Sequence, residues 1–339
     1  ELTGAETKSL RMGHGHLRGA YVTVKGDELF LINATIAGTS GIPIETDEQT
    51  RARKLLAKRK EIDALIAEQE KLIALLAEKR QATISHAVTR GLNPQVPMKD
   101  SGVPWLGEVP AHWRVGKIQN FARRESGHTP SRQHPEYWEN CTVPWFTLAD
   151  VHQIRDGKTD YVFETKELVS ELGLANSSAR LLPRGTVMLS RTASVGYAAI
   201  MGVDMATTQD FINWVCHGDL MPEFLLFVLR GMKSEFDRLM MGSTHQTIYM
   251  PDIAKLTMAK PPIDEQQQIV EALRARLKRL DLLADVPHFL RHHGKARALC
   301  AGARTLDQRV QRQHLHLVGD LLDRLGLLAG DLIDLGGQL

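Results

Sequence analysis

The sequence predicts an α+β protein: a compact mixed domain over residues 98–262, flanked by long α-helices of coiled-coil type and preceded by a strand-rich segment. Three observations predict it. Apolar residues recur at helical spacing across residues 47–90. Short β-like runs punctuated by glycine and proline follow. A second helical stripe then begins at Pro262. With 339 residues, 43% hydrophobic and 24% charged, the chain can bury the cores of two or three units.

Taken in order, residues 1–46 are strand-like: Tyr21–Val24 alternates, Gly26-Asp27 marks a turn, and Leu29–Ile32 follows. Residues 47–90 read as one helix with Asp47 as N-cap. Its apolar face carries Leu55, Ile62, Leu65, Ile66, Leu72, Ile73, Leu76, Ile84 and Val88. Unbroken, it would run about 60 Å at about 1.5 Å per residue. So long a stripe fits a coiled-coil arm that needs a partner helix, with Ile62, Ile66, Leu72, Ile73 and Leu76 as the seam. The alternative is a solvated helix packed on its own domain.

Residues 91–97 and on to Pro110 form an irregular linker. Strands are expected at Thr142–Phe146, Thr186–Ser190 and Ile212–Cys216, and a helix at Pro222–Met240. The second stripe, Ile269, Leu273, Leu277, Leu280 and Leu283, gives a helix over 263–283. Residues 284–339 change texture: His288, His292 and His293 cluster loosely, and a leucine stripe from Val310 to Leu335 is weakened by Gly319, Gly326 and Gly330. This tail matches nothing nameable; a divergent helix and a translation in the wrong frame both fit it.

Composition excludes little by itself. A net charge of +2 argues neither for nor against nucleic acid, so any basic surface must come from local clustering. Cys141, Cys216 and Cys300 lie far apart with no C-x-x-C pair, so no zinc site is predicted and a reducing cytoplasm is expected. No signal peptide is visible, and runs such as Phe224–Leu229 are too short to span a bilayer. Because Glu1 falls inside an apparent motif, a fragment is expected. A phosphate loop, a Gly-x-Gly-x-x-Gly turn, an Asn-Pro-Pro-Tyr-type methyltransferase motif and an acidic-x-Lys nuclease pattern were sought without a match. The reading therefore assigns no catalytic residue, no cofactor and no metal.

Three polar clusters stand beside glycine or proline in expected loops, where contacting side chains tend to lie. The first is Arg123, Arg124, His128, Thr129, Ser131 and Arg132; the second Arg191, Thr192 and Ser194; the third Ser243, Thr244, His245 and Gln246. Gln209 joins them as an amide beside Thr208. Reading bases needs such donors and acceptors on a rigid module, with cations for phosphates. The competing reading is that these residues shape turns, or that Thr208-Gln209 braces a strand. Trp105, Trp113, Trp138 and Trp145 are assigned to the core.

The order of features from Ile62 resembles the specificity subunit of type I restriction–modification systems. Ile62-Asp-Ala-Leu-Ile66 through Ala87-Val-Thr89 looks like that family's central helix. Met98-Lys-Asp-Ser-Gly-Val-Pro-Trp-Leu-Gly107 with Trp113 resembles the opening of a target-recognition domain. Gly127-His-Thr-Pro-Ser-Arg132, Leu182-Pro-Arg-Gly185, Ser190-Arg191, Thr208-Gln209, Gly242-Ser-Thr-His-Gln246 and Pro261-Pro262 with Glu265-Gln266 follow in order. The resemblance implies a non-catalytic subunit that reads one half of a split site in double-stranded DNA. It also implies methyltransferase and restriction subunits as partners, and a second half-subunit, since this chain holds one recognition domain.

Residues 1–61 resemble another family, small protein B, which binds transfer-messenger RNA and folds as a closed β-barrel with flanking helices. Glu1-Leu-Thr-Gly-Ala-Glu-Thr-Lys-Ser-Leu-Arg11, Ala20-Tyr-Val22, Asn33-Ala34 and Arg51-Ala-Arg-Lys-Leu-Leu56 carry the likeness. The family's earlier and later barrel strands have no counterpart here, and a barrel missing strands exposes unpaired edges. The segment is therefore expected to be a partial barrel without an RNA-binding role, a fusion remnant or an assembly artefact. Were the role retained, Lys8, Arg11, Arg51, Arg53 and Lys54 would face the RNA.

Overall fold

Thr3-Gly-Ala-Glu6 is a capping box, and in the computed structural model it starts a helix. The structure describes residues 1–17, 20–25, 28–39, 41–55, 59–241 and 246–299. The Thr3 hydroxyl accepts from Glu6 N at 3.2 Å, and the Glu6 carboxylate accepts from Thr3 N at 2.7 Å. The helix α1 (Gly4–Arg11) follows, then strands β1 (Gly15–His16), β2 (Tyr21–Lys25), β3 (Glu28–Ile32), β4 (Thr35–Ile36) and β5 (Arg53–Leu55). Strands β2, β3 and β5 make an antiparallel sheet, and β1 pairs with β4. No closed barrel forms among the described residues.

Helix α2 (Arg59–Arg90) begins later than the stripe suggests. Asp47 lies in a turn rather than at an N-cap, and Arg53 sits in β5, paired with Leu31 of β3. The cause is tertiary: the Arg53 guanidinium is buried and donates to Glu6 Oε1 and to the carbonyls of Ala34, Glu48 and Gln49. Such a web outweighs intrinsic helix propensity, which is a weak prior. Burial raises the pKa of the Glu6 carboxyl, but hydrogen bonds from Arg51, Thr3 N and Arg53 outweigh it and bring it down to about 2. Arg53, and with it Arg51, which also donates to Glu6, is thus turned to a carboxylate.

The chain divides into two units, one of Glu1–Leu75 with the chain from Asp281, the other Leu76–Leu280. In the second unit, β6 (Met98–Asp100) pairs with β7 (Glu108–Pro110), and β8 (Arg114–Lys117) with β17 (Thr257–Lys260). A five-stranded sheet runs β11 (Tyr161–Val162), β14 (Ala198–Met201), β13 (Val187–Ser190), β16 (Phe211–Cys216), β9 (Ala122–Ser126), antiparallel except for the parallel β11–β14 pair. A smaller sheet runs β12 (Glu167–Val169), β10 (Val143–Phe146), β15 (Ala206–Thr207). Helix α3 (Glu171–Ala175) follows β12 in the chain.

Alternation along the central strands fills two layers. Val187 and Leu189, Ala198 and Ile200, Ile212 and Trp214 join one core with α4 (Pro222–Gly231); Met188, Ala199, Met201 and Phe211 join another with Phe146, Val151 and Ile154. A sheet covered on both faces needs continuous apolar runs, which is why these strands read as Val-Met-Leu and Ala-Ala-Ile-Met. The expected helix Pro222–Met240 is two: α4 ends at Gly231 and α5 (Lys233–Leu239) restarts after Met232. A Cβ at Gly231 would stand 2.9 Å from Val88 Cγ2 of α2, so only glycine lets the helices approach.

Short helix α6 (Met250–Ile253) precedes β17, and α7 (Ile263–Leu299) closes the described chain. Helix α7 continues to Leu299, past the expected end at Leu283. Its Ile269, Val270, Leu273 and Leu277 share a core with Ile84, Ala87 and Val88. Residues 300–339, where the leucine stripe was read, lie outside the described residues. Trp113 and Trp145 are buried as expected, as is Trp214, whereas Trp105 and Trp138 are half-buried. No helix is long and apolar enough to cross a membrane, and no group of histidine, cysteine and carboxylates that could hold a metal ion occurs among the described residues.

Candidate nucleic-acid interface

At Ser190, strand β13 gives way to a turn that folds back on itself: Ser190 N donates to Tyr197 O at 2.8 Å, and Gly196 N to Ser190 O at 2.9 Å. Ala193 at its tip has φ 58°, a left-handed conformation that costs a non-glycine residue energy and must be held by neighbours. The holding contact is visible. Ala193 N donates to Gln246 O at 2.9 Å, and Thr192 and Thr247 form a β-bridge.

Arg191 is the hinge of the site. Its N–H donates to Asp210 O at 2.9 Å, its Nε to Gln209 O at 3.0 Å and its Nη1 to Ile248 O at 3.4 Å; its own carbonyl accepts from Ile248 N at 2.9 Å. A cation held by neutral carbonyls keeps its charge for another partner, and no carboxylate pairs with Arg191 among the described residues. Gln209 is exposed. Its Oε1 accepts from Thr129 Oγ1 at 2.8 Å, which leaves its amide NH2 without an acceptor among the described residues.

The third turn, from Gly127 to Arg132, is pinned to the same place by backbone. His128 N donates to Thr207 O at 3.0 Å. A Cβ at Gly127 would lie 2.1 Å from Thr208 O and 2.3 Å from Thr207 O, so the approach requires glycine. Thr129, Gln209, Arg191, Thr192, Ala193 and Gln246 are thus linked one to the next, although they come from four separate parts of the sequence.

The remaining candidates lie around this chain of contacts. Ser194 Oγ accepts from Arg155 Nη2 at 3.1 Å. Arg132 stacks 4.2 Å over the Trp138 ring and donates to Glu167 at 3.2 Å, and Ser131 O accepts from Trp138 Nε1. Arg123 and Arg124 are on strand β9, not in a loop as their neighbouring glycine suggested. Arg123 is paired with Glu125 at 3.3 Å, while the half-buried Arg124 has an Nη1 with no hydrogen-bond partner. Ser243, Thr244 and His245 lie outside the described residues, as do the side chain of Ile62 and the side chains of the histidine group at 288–293.

Sequence reading missed Arg155, Arg180 and Tyr249. Arg180 shares Glu125 with Arg123 at 3.8 Å, and Tyr249 is 56% exposed two residues after Thr247. Arg155 and Arg180 belong to no motif, and only the folded chain brings them near their partners.

Comparison with known proteins adds the following. Residues 110–288, more than half of the chain, match the family model of the type I restriction modification DNA specificity domain. Residues 1–82 match the SmpB protein family. The type I restriction enzyme MjaIX specificity subunit of Methanocaldococcus jannaschii is 28% identical over 170 residues, 50% of this chain and 38% of its own length. The EcoR124I/EcoR124II specificity subunit of Escherichia coli is 26% identical over 198 residues, 55% of this chain and 48% of its own. The chain therefore spans less than half the length of these curated relatives. The SsrA-binding protein of Myxococcus xanthus is 52% identical over 62 residues, 18% of this chain and 38% of its own. The crystal structure of the HsdS subunit from Thermoanaerobacter tengcongensis superposes with a TM-score of 0.44 at 17% identity, over 77% of this chain and 63% of that one.

Proposed function

Because the chain belongs to the family of the type I restriction modification DNA specificity domain, we propose that it reads one half of a split site in double-stranded DNA and catalyses nothing itself. The observation that carries this is the convergence of the 127–132, 190–196, 208–210 and 246–249 segments on Arg191 and Gln209. An exposed amide NH2 suits a base-edge acceptor, and a pre-oriented guanidinium without a carboxylate suits a phosphate or a guanine edge. The backbone that presents them is fixed before binding, which lowers the ordering cost of recognition.

In the same reading, helices α2 and α7 form a coiled-coil arm, and methyltransferase subunits, restriction subunits or a second half-subunit dock on it. The exposure of Leu72, at 47%, and of Leu75, at 51%, supports a docking role for the first part of α2. The work would be done in the cytoplasm, away from membranes and without a cofactor. The rival reading, binding of transfer-messenger RNA by the first segment, is favoured by the match over residues 1–82. Against it stands the engagement of Arg51 and Arg53 with Glu6, which turns two of the five candidate cations to a carboxylate within the segment. Binding of duplex DNA as a function of salt, with RNA as competitor, tests the two together.

A further inference from the structure

Tyr249 has an exposure that its local structure does not account for. It occupies the N-cap of α6, where a short polar side chain would accept a hydrogen bond from the first turn, and it makes no such cap bond. Its ring is 56% exposed, while the preceding Ile248 is fully buried. A tyrosine therefore displaces the residue types that would serve the helix better, and its side chain contributes no cap.

Its backbone is among the most firmly held of the interface. Ile248 N donates to Arg191 O at 2.9 Å, Arg191 Nη1 reaches Ile248 O at 3.4 Å, and Tyr249 O accepts from Asp252 N at 3.0 Å and Ile253 N at 3.1 Å. The exposed side chain is thus carried on hydrogen-bonded chain, next in sequence to the carbonyl that holds Arg191, a cation with no carboxylate partner among the described residues. Single exposed apolar side chains are common and need no function. A large aromatic exposed at an N-cap position, next in sequence to the carbonyl that holds the Arg191 guanidinium, is a narrower case. Aromatic rings with neighbouring cations are a recurring means of gripping nucleic acid, because the ring offers wide contact area for two rotatable bonds and a polar tip.

We propose that Tyr249 is a further DNA-contacting residue, its ring lying against the sugar and base surface of the duplex beside the phosphate or base held by Arg191. This rests on the DNA-reading function proposed above. The contact is apolar and carries no charge. It therefore adds affinity without adding to the number of counterions released on binding.

The test uses the full chain, a pool of duplexes of random sequence at several salt concentrations, and the variants Tyr249→Ser and Tyr249→Phe. The bonds from Asp252 N and Ile253 N go to the backbone carbonyl of residue 249, which the substitution keeps, and serine suits an N-cap position, so Tyr249→Ser is expected to melt close to the parent's temperature. It should nevertheless bind duplex about tenfold more weakly, the equivalent of about 1.4 kcal/mol, with the slope of log affinity against log salt unchanged. Tyr249→Phe, which keeps the ring, should bind close to the parent. A Tyr249→Ser protein that binds like the parent overturns the proposal, and so does one whose binding loss comes with a lowered melting temperature or a changed salt slope. A parent chain that binds no duplex would sink the DNA-reading function and this inference together. A parent that binds beside an unaffected serine variant would sink this inference alone.

Discussion

Arg191 and Gln209 separate two kinds of work at one site. The Arg191 guanidinium donates to the carbonyls of Gln209 and Ile248, so replacing it removes a cation and also loosens the turn it spans, while the backbone bond to Asp210 O stays. The Gln209 side chain is held by one hydrogen bond, from Thr129, among the described residues and spans nothing. Arg191→Ala is therefore expected to weaken duplex binding across all sequences. Gln209→Ala should relax one position of the preferred site, by about 1–3 kcal/mol if the amide makes a bidentate contact. Affinities for a selected duplex and its single-base variants check this, and equal losses from both substitutions on every duplex would contradict it. At this scale much was legible: Thr129, Arg191, Thr192, Gln209 and Gln246 all stand out as polar residues beside turn formers. Arg155 and Tyr249 do not, because their partners are distant in sequence. The misplacement of Arg123 and Arg124 has a plain cause, since Gly127 marks the turn that follows β9 and not the strand itself.

Elements were legible where one hydrophobic period dominates and illegible where a polar side chain overrides it. The central strands follow from largely apolar runs, and the observed bounds of β13 and β16 lie close to those expected, whereas the helix expected to reach Met240 breaks after Gly231. The start of α2 was misread because Arg53, a good helix former, serves instead as a buried clasp for the carbonyls of Ala34, Glu48, Gln49 and Arg51. Gln266 plays a comparable part at the start of α7. It is fully buried, its Oε1 accepts from Met221 N at 2.9 Å, and its Nε2 donates to Asp219 O at 2.8 Å and Pro261 O at 2.9 Å. These bonds tie α7 to the entry of α4. Leucine in its place would fill similar space but leave the buried Pro261 carbonyl unpaired, at about 1–3 kcal/mol, together with two partly buried backbone groups, Met221 N and Asp219 O. Gln266→Leu is expected to lower stability by roughly 2 kcal/mol or more on that basis, read as a shift in denaturant midpoint. An unchanged midpoint would mean that water serves those groups equally well.

For the whole molecule, the sequence divides sharply between what a resemblance can supply and what the chain itself reveals. The family over residues 110–288 was readable because its motifs stand in order along that stretch. The continuation of α7 to Leu299 was not readable, since the stripe that defines the helix loses its regularity after Leu283. The docking role of α2 makes its own prediction. Leu72 is exposed and Leu76 half-buried, so the chain should self-associate with rising concentration, and Leu72→Asp with Leu76→Asp should suppress this. Sedimentation of parent and variant decides it; a monomer at every concentration in both would remove the docking of a second copy on this face.

The most direct test of DNA reading is affinity against salt, measured on the full chain with random duplexes and with transfer-messenger RNA as competitor. Each phosphate neutralised should contribute about −0.9 to the slope of log affinity against log salt on B-form DNA. The expected result is duplex binding with a slope of several such contributions, displaced by the RNA no better than by an unrelated RNA. Absent or salt-insensitive duplex binding, or tight and specific capture of transfer-messenger RNA, would contradict the account.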